Sequence, residues 1–78
     1  MTVTVARVLD CKRLSCPLPI VKTAQALRTL AAGDLIEVLA TDPGSVKDFA
    51  AWSKVTGNEL VGTSQADGVF RFVLKKKG

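Results

Sequence analysis

All three prolines of this 78-residue chain stand where a helix would begin. Proline lacks a backbone N–H, so a helix tolerates it in the first turn but not in the interior. Pro17 and Pro19 open the segment 17–32, in which apolar residues recur at helical spacing, and Pro43 precedes a second such segment that ends at Gly57. The prolines therefore predict two separate helices.

Four further segments have the apolar patterns of strands. They span residues 2–10, 35–40, 59–64 and 69–75, and the last two are joined across Asp67-Gly68, a strong hairpin signal. The segment 35–40 is almost continuously apolar, which is typical of a central strand. The order β-α-β-α-β-β predicts a single domain, 1–78, of the α/β (α+β) class. We expect a two-layer sandwich with two helices on one face of a four-stranded mixed sheet.

Helical periodicity also predicts which side chains face the core and where each helix ends. The first helix is expected to finish at a left-handed cap at Gly33, and the second to begin with Asp42 as its N-cap. Trp52 falls at the rim of the core. The predicted buried stripes are Ile20, Ala24, Leu27 and Ala31, with Leu30 beside them, in the first helix, and Val46, Phe49 and Ala50 in the second.

The chain has two cysteines and neither histidine nor tyrosine. This composition excludes a Cys–His nucleophile pair and a His-ligated zinc site, and two cysteines cannot fill a four-coordinate zinc site alone, so no metal or cofactor is expected. A secreted disulfide scaffold of this size would carry more cysteines. The N-terminus lacks the basic and apolar regions of a secretory signal, and the apolar runs are too short for membrane insertion. A cytoplasmic location is expected.

The net charge is +4, and three of the positive charges belong to Lys75, Lys76 and Lys77. We interpret this run as a solvated tail, with attraction to RNA or to an acidic protein surface as the alternative. Most of the few aromatic residues are expected to be buried, which argues against stable nucleic-acid binding.

The segment Ser15-Cys16-Pro17-Leu18-Pro19 places a thiol at a helix start. With Cys16 as the N-cap, Pro17 and Pro19 occupy the first and third helical positions and stiffen that start. The positive end of the helix dipole favours a thiolate, and it would also stabilise a persulfide anion. Because the prolines remove two amides, activation of the sulfur would have to come from the dipole, the N–H of Leu18 and nearby cations.

Three cations, Lys12, Arg13 and Lys22, lie near Cys16 in sequence and add positive charge. The plain alternative is that Cys16 only fills a loop. Cys11 leaves two interpretations open: it is an inert core residue, or it is a resolving thiol that forms a disulfide with Cys16.

The run Leu9-Asp10-Cys11-Lys12-Arg13-Leu14-Ser15-Cys16-Pro17-Leu18-Pro19, written L-D-x-x-x-L-x-C-P-x-P, resembles the TusA (SirA, YeeD, YedF) family of small sulfur-carrier proteins. The resemblance continues through 40–43, 57–60, 67–68 and 70–72. It implies a fold like the C-terminal domain of bacterial translation initiation factor three. The family commonly has glycine where this chain has Arg13.

The resemblance further implies that Cys16 holds sulfane sulfur as a persulfide, with Pro17, Pro19, Arg13 and Lys22 in support. The donor would be a cysteine desulfurase or rhodanese, and the acceptor a DsrE-like or TusD-like protein, in tRNA thiolation or in thiosulfate or sulfide metabolism. Such a protein is a carrier in sulfur transfer rather than a stand-alone enzyme. Two alternatives remain: a thiol redox element using Cys11 and Cys16, and a basic RNA-binding or regulatory module.

Overall fold

A computed structural model, which describes residues 5–15 and 17–77, contains six elements in the predicted order. They are β1 (Arg7–Cys11), α1 (Leu18–Leu27), β2 (Leu35–Ala40), α2 (Ser45–Thr56), β3 (Glu59–Ala66) and β4 (Val69–Lys75). The β-α-β-α-β-β order is confirmed; residues 2–4 of the predicted first strand lie outside the described residues. Neither of these two helices is long and apolar enough to cross a membrane.

The four strands form one mixed sheet in the order β1-β2-β4-β3. β1 and β2 are parallel, whereas β4 is antiparallel to both β2 and β3. The helices pack against each other on one face of this sheet, as predicted. The core between the layers consists of Cys11, Ala26, Leu27, Ile36, Val38, Ala40, Phe49, Phe72 and Leu74.

The buried face of α1 differs from the predicted stripe. Its buried residues are Pro19, Thr23, Ala26 and Leu27, whereas Ala24 is half-buried. Thr23 can be buried because its hydroxyl donates a hydrogen bond of 2.7 Å to the carbonyl of Pro19, which satisfies the polar atom within the helix. The helix is therefore rotated relative to the orientation that apolar periodicity alone predicted.

The end of α1 also comes earlier than predicted. The helix finishes at Leu27 with Arg28 as a right-handed C-cap, so Ala31 lies beyond it and is exposed. Gly33 does have a left-handed backbone, with φ of 88°, but it belongs to the turn that leads into β2. There its N–H donates to the carbonyl of Lys76 at 2.9 Å.

α2 begins with Gly44 as its N-cap rather than Asp42. The carboxylate of Asp42 instead accepts the N–H of Gly44 at 3.0 Å, and thus stabilises the turn just before the helix. Phe49 is fully buried and stacks on Phe72 with ring centroids 4.5 Å apart. The rest of the predicted stripe is wrong, because Val46 and Ala50 are exposed; Trp52 packs at the edge of the core as predicted.

The predicted hairpin is confirmed; β3 extends two residues beyond the predicted 59–64, and β4 has the predicted bounds 69–75. Ala66 pairs with Val69 across Asp67 and Gly68, whose φ angles are 53° and 76°. Positive φ at both central residues identifies a type I′ turn, whose twist matches that of the two strands.

The C-terminal lysines are not a solvated tail. Lys75 ends β4, and the backbone of Lys76 bonds to that of Gly33 and Asp34. The ammonium of Lys76 also donates to the carbonyl of Leu30, just beyond the end of α1. The N–H of Lys77 donates to the side-chain oxygen of Asn58 at 2.9 Å. The end of the described chain is therefore part of the packed structure.

We expect Lys76→Ala to lower the free energy of unfolding by about 1 kcal/mol, because the Leu30 carbonyl loses a charged donor. Lys75→Ala is the matched control, since the exposed Lys75 contributes only its backbone to the β4 pairing. Urea denaturation monitored by circular dichroism measures both changes. Equal effects of the two substitutions would contradict a specific role of the Lys76 ammonium.

Candidate functional site

The chain that follows β1 and the chain that follows β2 lie side by side. The parallel register pairs Cys11 with Ala40, the last residues of the two strands. We call this end of the sheet, with residues 12–15 and 17 after β1 and the loop 41–44 after β2, the motif end. The two loops are joined directly, because the N–H of Arg13 donates to the hydroxyl of Thr41 at 2.9 Å.

A tight turn carries the chain from β1 toward the Cys-Pro-Leu-Pro motif. The N–H of Leu14 donates to the carbonyl of Cys11 at 3.2 Å, and the N–H of Lys12 donates to the carboxylate of Asp10 at 3.0 Å. Arg13 has a φ of 71°, and the preceding residue has no positive φ. This is the pattern of a type II turn, in which the third position favours glycine. Arginine occupies this position against its own preference.

The start of α1 differs from the prediction that Cys16 is its N-cap. Pro17 is the N-cap, and its carbonyl accepts the N–H of Val21 at 3.1 Å. Pro19 is therefore the second helical residue, where the missing N–H does no harm. The N–H of Leu18 donates to the carbonyl of Ser15 at 2.8 Å. The Leu18 amide is thus occupied and is not the free donor that the sequence suggested for the Cys16 sulfur.

The two prolines of the motif have different environments. Pro19 is fully buried and anchors the first turn of α1 in the core, whereas Pro17 is exposed. Ser15 is exposed as well, and Leu18 leaves 46% of its surface uncovered. Cys16 itself lies outside the described residues. Both of its neighbours in the chain are accessible to solvent.

Cys11, the second thiol, is fully buried in the core cluster. Burial raises the pKa of Cys11 above its ordinary value of 9.0; the charge of Lys22 partly opposes this, and that of Asp10 adds to it. Thiolate is the form of cysteine that attacks sulfur. Cys11 therefore has little reactivity in the folded chain, which favours the inert interpretation over a resolving thiol.

The three predicted cations do not form one group. The ammonium of Lys12 lies 3.9 Å from the carboxylate of Asp10. An open cleft of about 420 Å³ at the motif end is lined by Asp10, Lys12, Arg13 and Thr41. Lys22 lines a separate cleft between α1 and β1. Lys12 and Arg13 are thus brought together next to the motif, and Lys22 is not placed with them.

Thr41 is the site residue that sequence reasoning missed. It lies in the matching segment 40–43, in which only Asp42 and Pro43 were assigned roles, both at the start of the second helix. Two parallel strands end side by side, so the first residue after β2 is placed to contact the loop after β1. No three His, Cys, Asp or Glu residues are grouped so as to hold a metal ion in the part of the chain that the structure describes.

Almost the whole chain aligns with known proteins of related sequence. The family model described as "Sulfurtransferase TusA" matches residues 7–76. "Sulfur carrier protein TusA" from Allochromatium vinosum is 48% identical over 68 residues, which cover 87% of this chain and 90% of that protein. The protein of the same name from Pseudomonas putida is 39% identical over 70 residues, or 90% and 88% of the two chains.

A longer relative and a solved structure also match this chain. YrkF from Bacillus subtilis is 48% identical over 71 residues, which cover 91% of this chain but only 38% of YrkF. The crystal structure of the SirA-like protein from Desulfitobacterium hafniense superposes with a TM-score of 0.80 at 22% identity, covering 92% of this chain and 99% of that one. At that identity the superposition establishes a shared fold.

We expect Arg13→Gly to raise the free energy of unfolding by about 0.5–1 kcal/mol. Relief of the left-handed backbone is worth roughly 1–2 kcal/mol, and the greater freedom of glycine in the unfolded chain offsets part of it. Arg13→Ala keeps the strain and is the control. Thermal and urea unfolding measure the two variants; an Arg13→Gly protein less stable than Arg13→Ala would rule out strain at this turn.

Titration of Cys11 should make stability fall with pH above about 9.0. Below that pH the thiol is neutral in both states; above it the unfolded chain loses this proton before the folded chain does, which favours unfolding. The slope is at most about 1.4 kcal/mol per pH unit. The measurement is urea denaturation from pH 7 to 10.5 for the wild-type protein and Cys11→Ala. The difference between them should shrink as pH rises, and parallel curves would show that Cys11 titrates normally.

Proposed function

Because the chain belongs to the TusA family, we propose that it is a sulfur carrier in which Cys16 holds sulfane sulfur as a persulfide and relays it between partner proteins. The observation that carries the proposal is the contrast around the two thiols: the residues on both sides of Cys16 are exposed, whereas Cys11 is sealed in the core. A relay between two proteins requires an accessible sulfur rather than an enclosed pocket.

The transfer consists of two exchange steps without net oxidation. The thiolate of Cys16 attacks the terminal sulfur of the donor's persulfide, the S–S bond of the donor breaks, and the donor cysteine leaves as a thiolate. Cys16 now carries S–SH. An acceptor thiolate then attacks this outer sulfur, and Cys16 leaves as a thiolate, ready for another cycle.

The chain has no histidine to act as general base, so Cys16 must already be a thiolate when the donor arrives. The positive end of α1 and the cations of the preceding turn, Lys12 and Arg13, favour that form. The prolines assist through rigidity: Pro19 fixes the first turn in the core, and Pro17 restricts the backbone next to Cys16.

The partners that we propose are a cysteine desulfurase or rhodanese as donor and a DsrE-like or TusD-like protein as acceptor, in the reducing cytoplasm. The sulfur would serve either tRNA thiolation or thiosulfate and sulfide metabolism. Stable binding of nucleic acid is not part of this proposal, because Lys76 is engaged with the core structure rather than extended in a basic tail.

Intact-mass measurement after incubation with a persulfidated donor protein tests the carrier function. The wild-type protein and Cys11→Ser should each gain the mass of one sulfur atom, which a reductant removes, and Cys16→Ser should gain none. Uptake of sulfur by Cys16→Ser would refute the assignment of Cys16. Loss of sulfur transfer in a folded Cys11→Ser protein would instead support the redox element that uses both thiols.

A further inference from the structure

The cleft at the motif end contains a positive charge that forms no ion pair among the described residues. Of its two cations, Lys12 is paired with the carboxylate of Asp10, which is also in the cleft. Among residues 5–15 and 17–77, the ion pairs are this one and Arg71 with Glu37. Arg13 takes part in neither, so its guanidinium is the uncompensated charge of the cleft.

The backbone around Arg13 is fixed, although the residue is unfavourable there. Its own N–H is bound by Thr41, and the N–H of Leu14 closes the turn onto Cys11. The left-handed conformation serves glycine better than arginine, so the turn itself does not explain the side chain. A function of the exposed guanidinium would explain it.

The form of the cleft indicates what this guanidinium binds. The cleft is open, and Asp10, Lys12 and Arg13 in its lining are exposed, so it lacks the buried donors that would hold a small free anion tightly. A carboxylate carried by a large partner does not need such donors, because the rest of the interface supplies affinity. The planar guanidinium matches a carboxylate through two parallel hydrogen bonds, and the net charge of +4 attracts acidic surfaces.

We propose that this cleft receives an aspartate or glutamate side chain of the protein that donates sulfur, and that Arg13 is the residue that recognises it. The inference rests on the proposed sulfur-carrier function. Arg13 lies three residues before Cys16 in the chain, so a carboxylate bound there docks the donor beside the thiol. Arg13 acts on the encounter between the two proteins, and it is a recognition residue rather than a catalytic one.

The test compares protein donors with a small donor that has no carboxylate. Persulfidated rhodanese, persulfidated cysteine desulfurase and 2-mercaptoethanol persulfide are each mixed with the wild-type protein, Arg13→Gln, Arg13→Lys and Arg13→Gly, and sulfur uptake is timed by intact mass. Arg13→Gln removes the charge but keeps the strained turn, Arg13→Gly removes both, and Arg13→Lys keeps the charge without the fork. Lys54→Gln, at an exposed cation in the last turn of α2, is the matched control.

We expect Arg13→Gln and Arg13→Gly to slow transfer from at least one protein donor by about fivefold at low salt, with a smaller effect of Arg13→Lys. Their rates should also depend less on salt than the wild-type rate does. Transfer from 2-mercaptoethanol persulfide should slow clearly less, because with this donor the variants lose only the effect of the Arg13 charge on the Cys16 thiolate. All rates of Lys54→Gln should be unchanged. Because Arg13→Gly is the more stable variant, its slower transfer would not be due to unfolding.

Three other results would overturn the inference. Unchanged transfer from both protein donors would show that no donor carboxylate uses the cleft. Equal slowing with the proteins and with 2-mercaptoethanol persulfide would show that Arg13 acts only through the Cys16 thiolate and binds no donor carboxylate. Failure of the wild-type protein to take up sulfur from any donor would overturn the carrier function itself, and this inference with it.

Discussion

The parallel pairing of β1 with β2 determines where everything else in the site is placed. Two parallel strands require a crossover, and α1 is that crossover, so the thiol motif at its start must lie just beyond the end of β1. The same pairing places the loop after β2 beside the motif, where Thr41 fixes the turn that contains Arg13. Fold and site are thus consequences of a single strand pairing.

The motif end separates buried from accessible groups over a few residues. Cys11 is buried at the last position of β1, and Pro19 is buried at the second position of α1. The exposed residues between them include Ser15 and Pro17. In the second half of β1, more covered and exposed positions alternate, and this places Cys11 in the core. The residues on either side of Cys16 remain exposed.

The sequence predicted those features that depend on local rules. The element order follows from the prolines and from apolar periodicity, and the Asp67-Gly68 turn follows from its preference for positive φ. Features that depend on tertiary contacts were missed. Thr23 was not predicted to be buried, because its polar hydroxyl becomes compatible with burial only through its hydrogen bond to the Pro19 carbonyl. Lys76 was assigned to a free tail, although its ammonium donates to the carbonyl of Leu30, 46 positions earlier in the chain. The N-cap was misplaced by one residue, because Ser15 and Leu18 form a preceding turn that the proline spacing does not reveal.

Lys76 is bonded at the end of the sheet opposite the motif, where β4 finishes beside the first residue of β2. A flexible tether fused after Lys77 would therefore extend away from the Cys16 loop. Such a fusion could immobilise the protein on a sensor surface, or join it to a second domain, with the motif end still accessible. Attachment at the motif end would instead cover the residues beside Cys16.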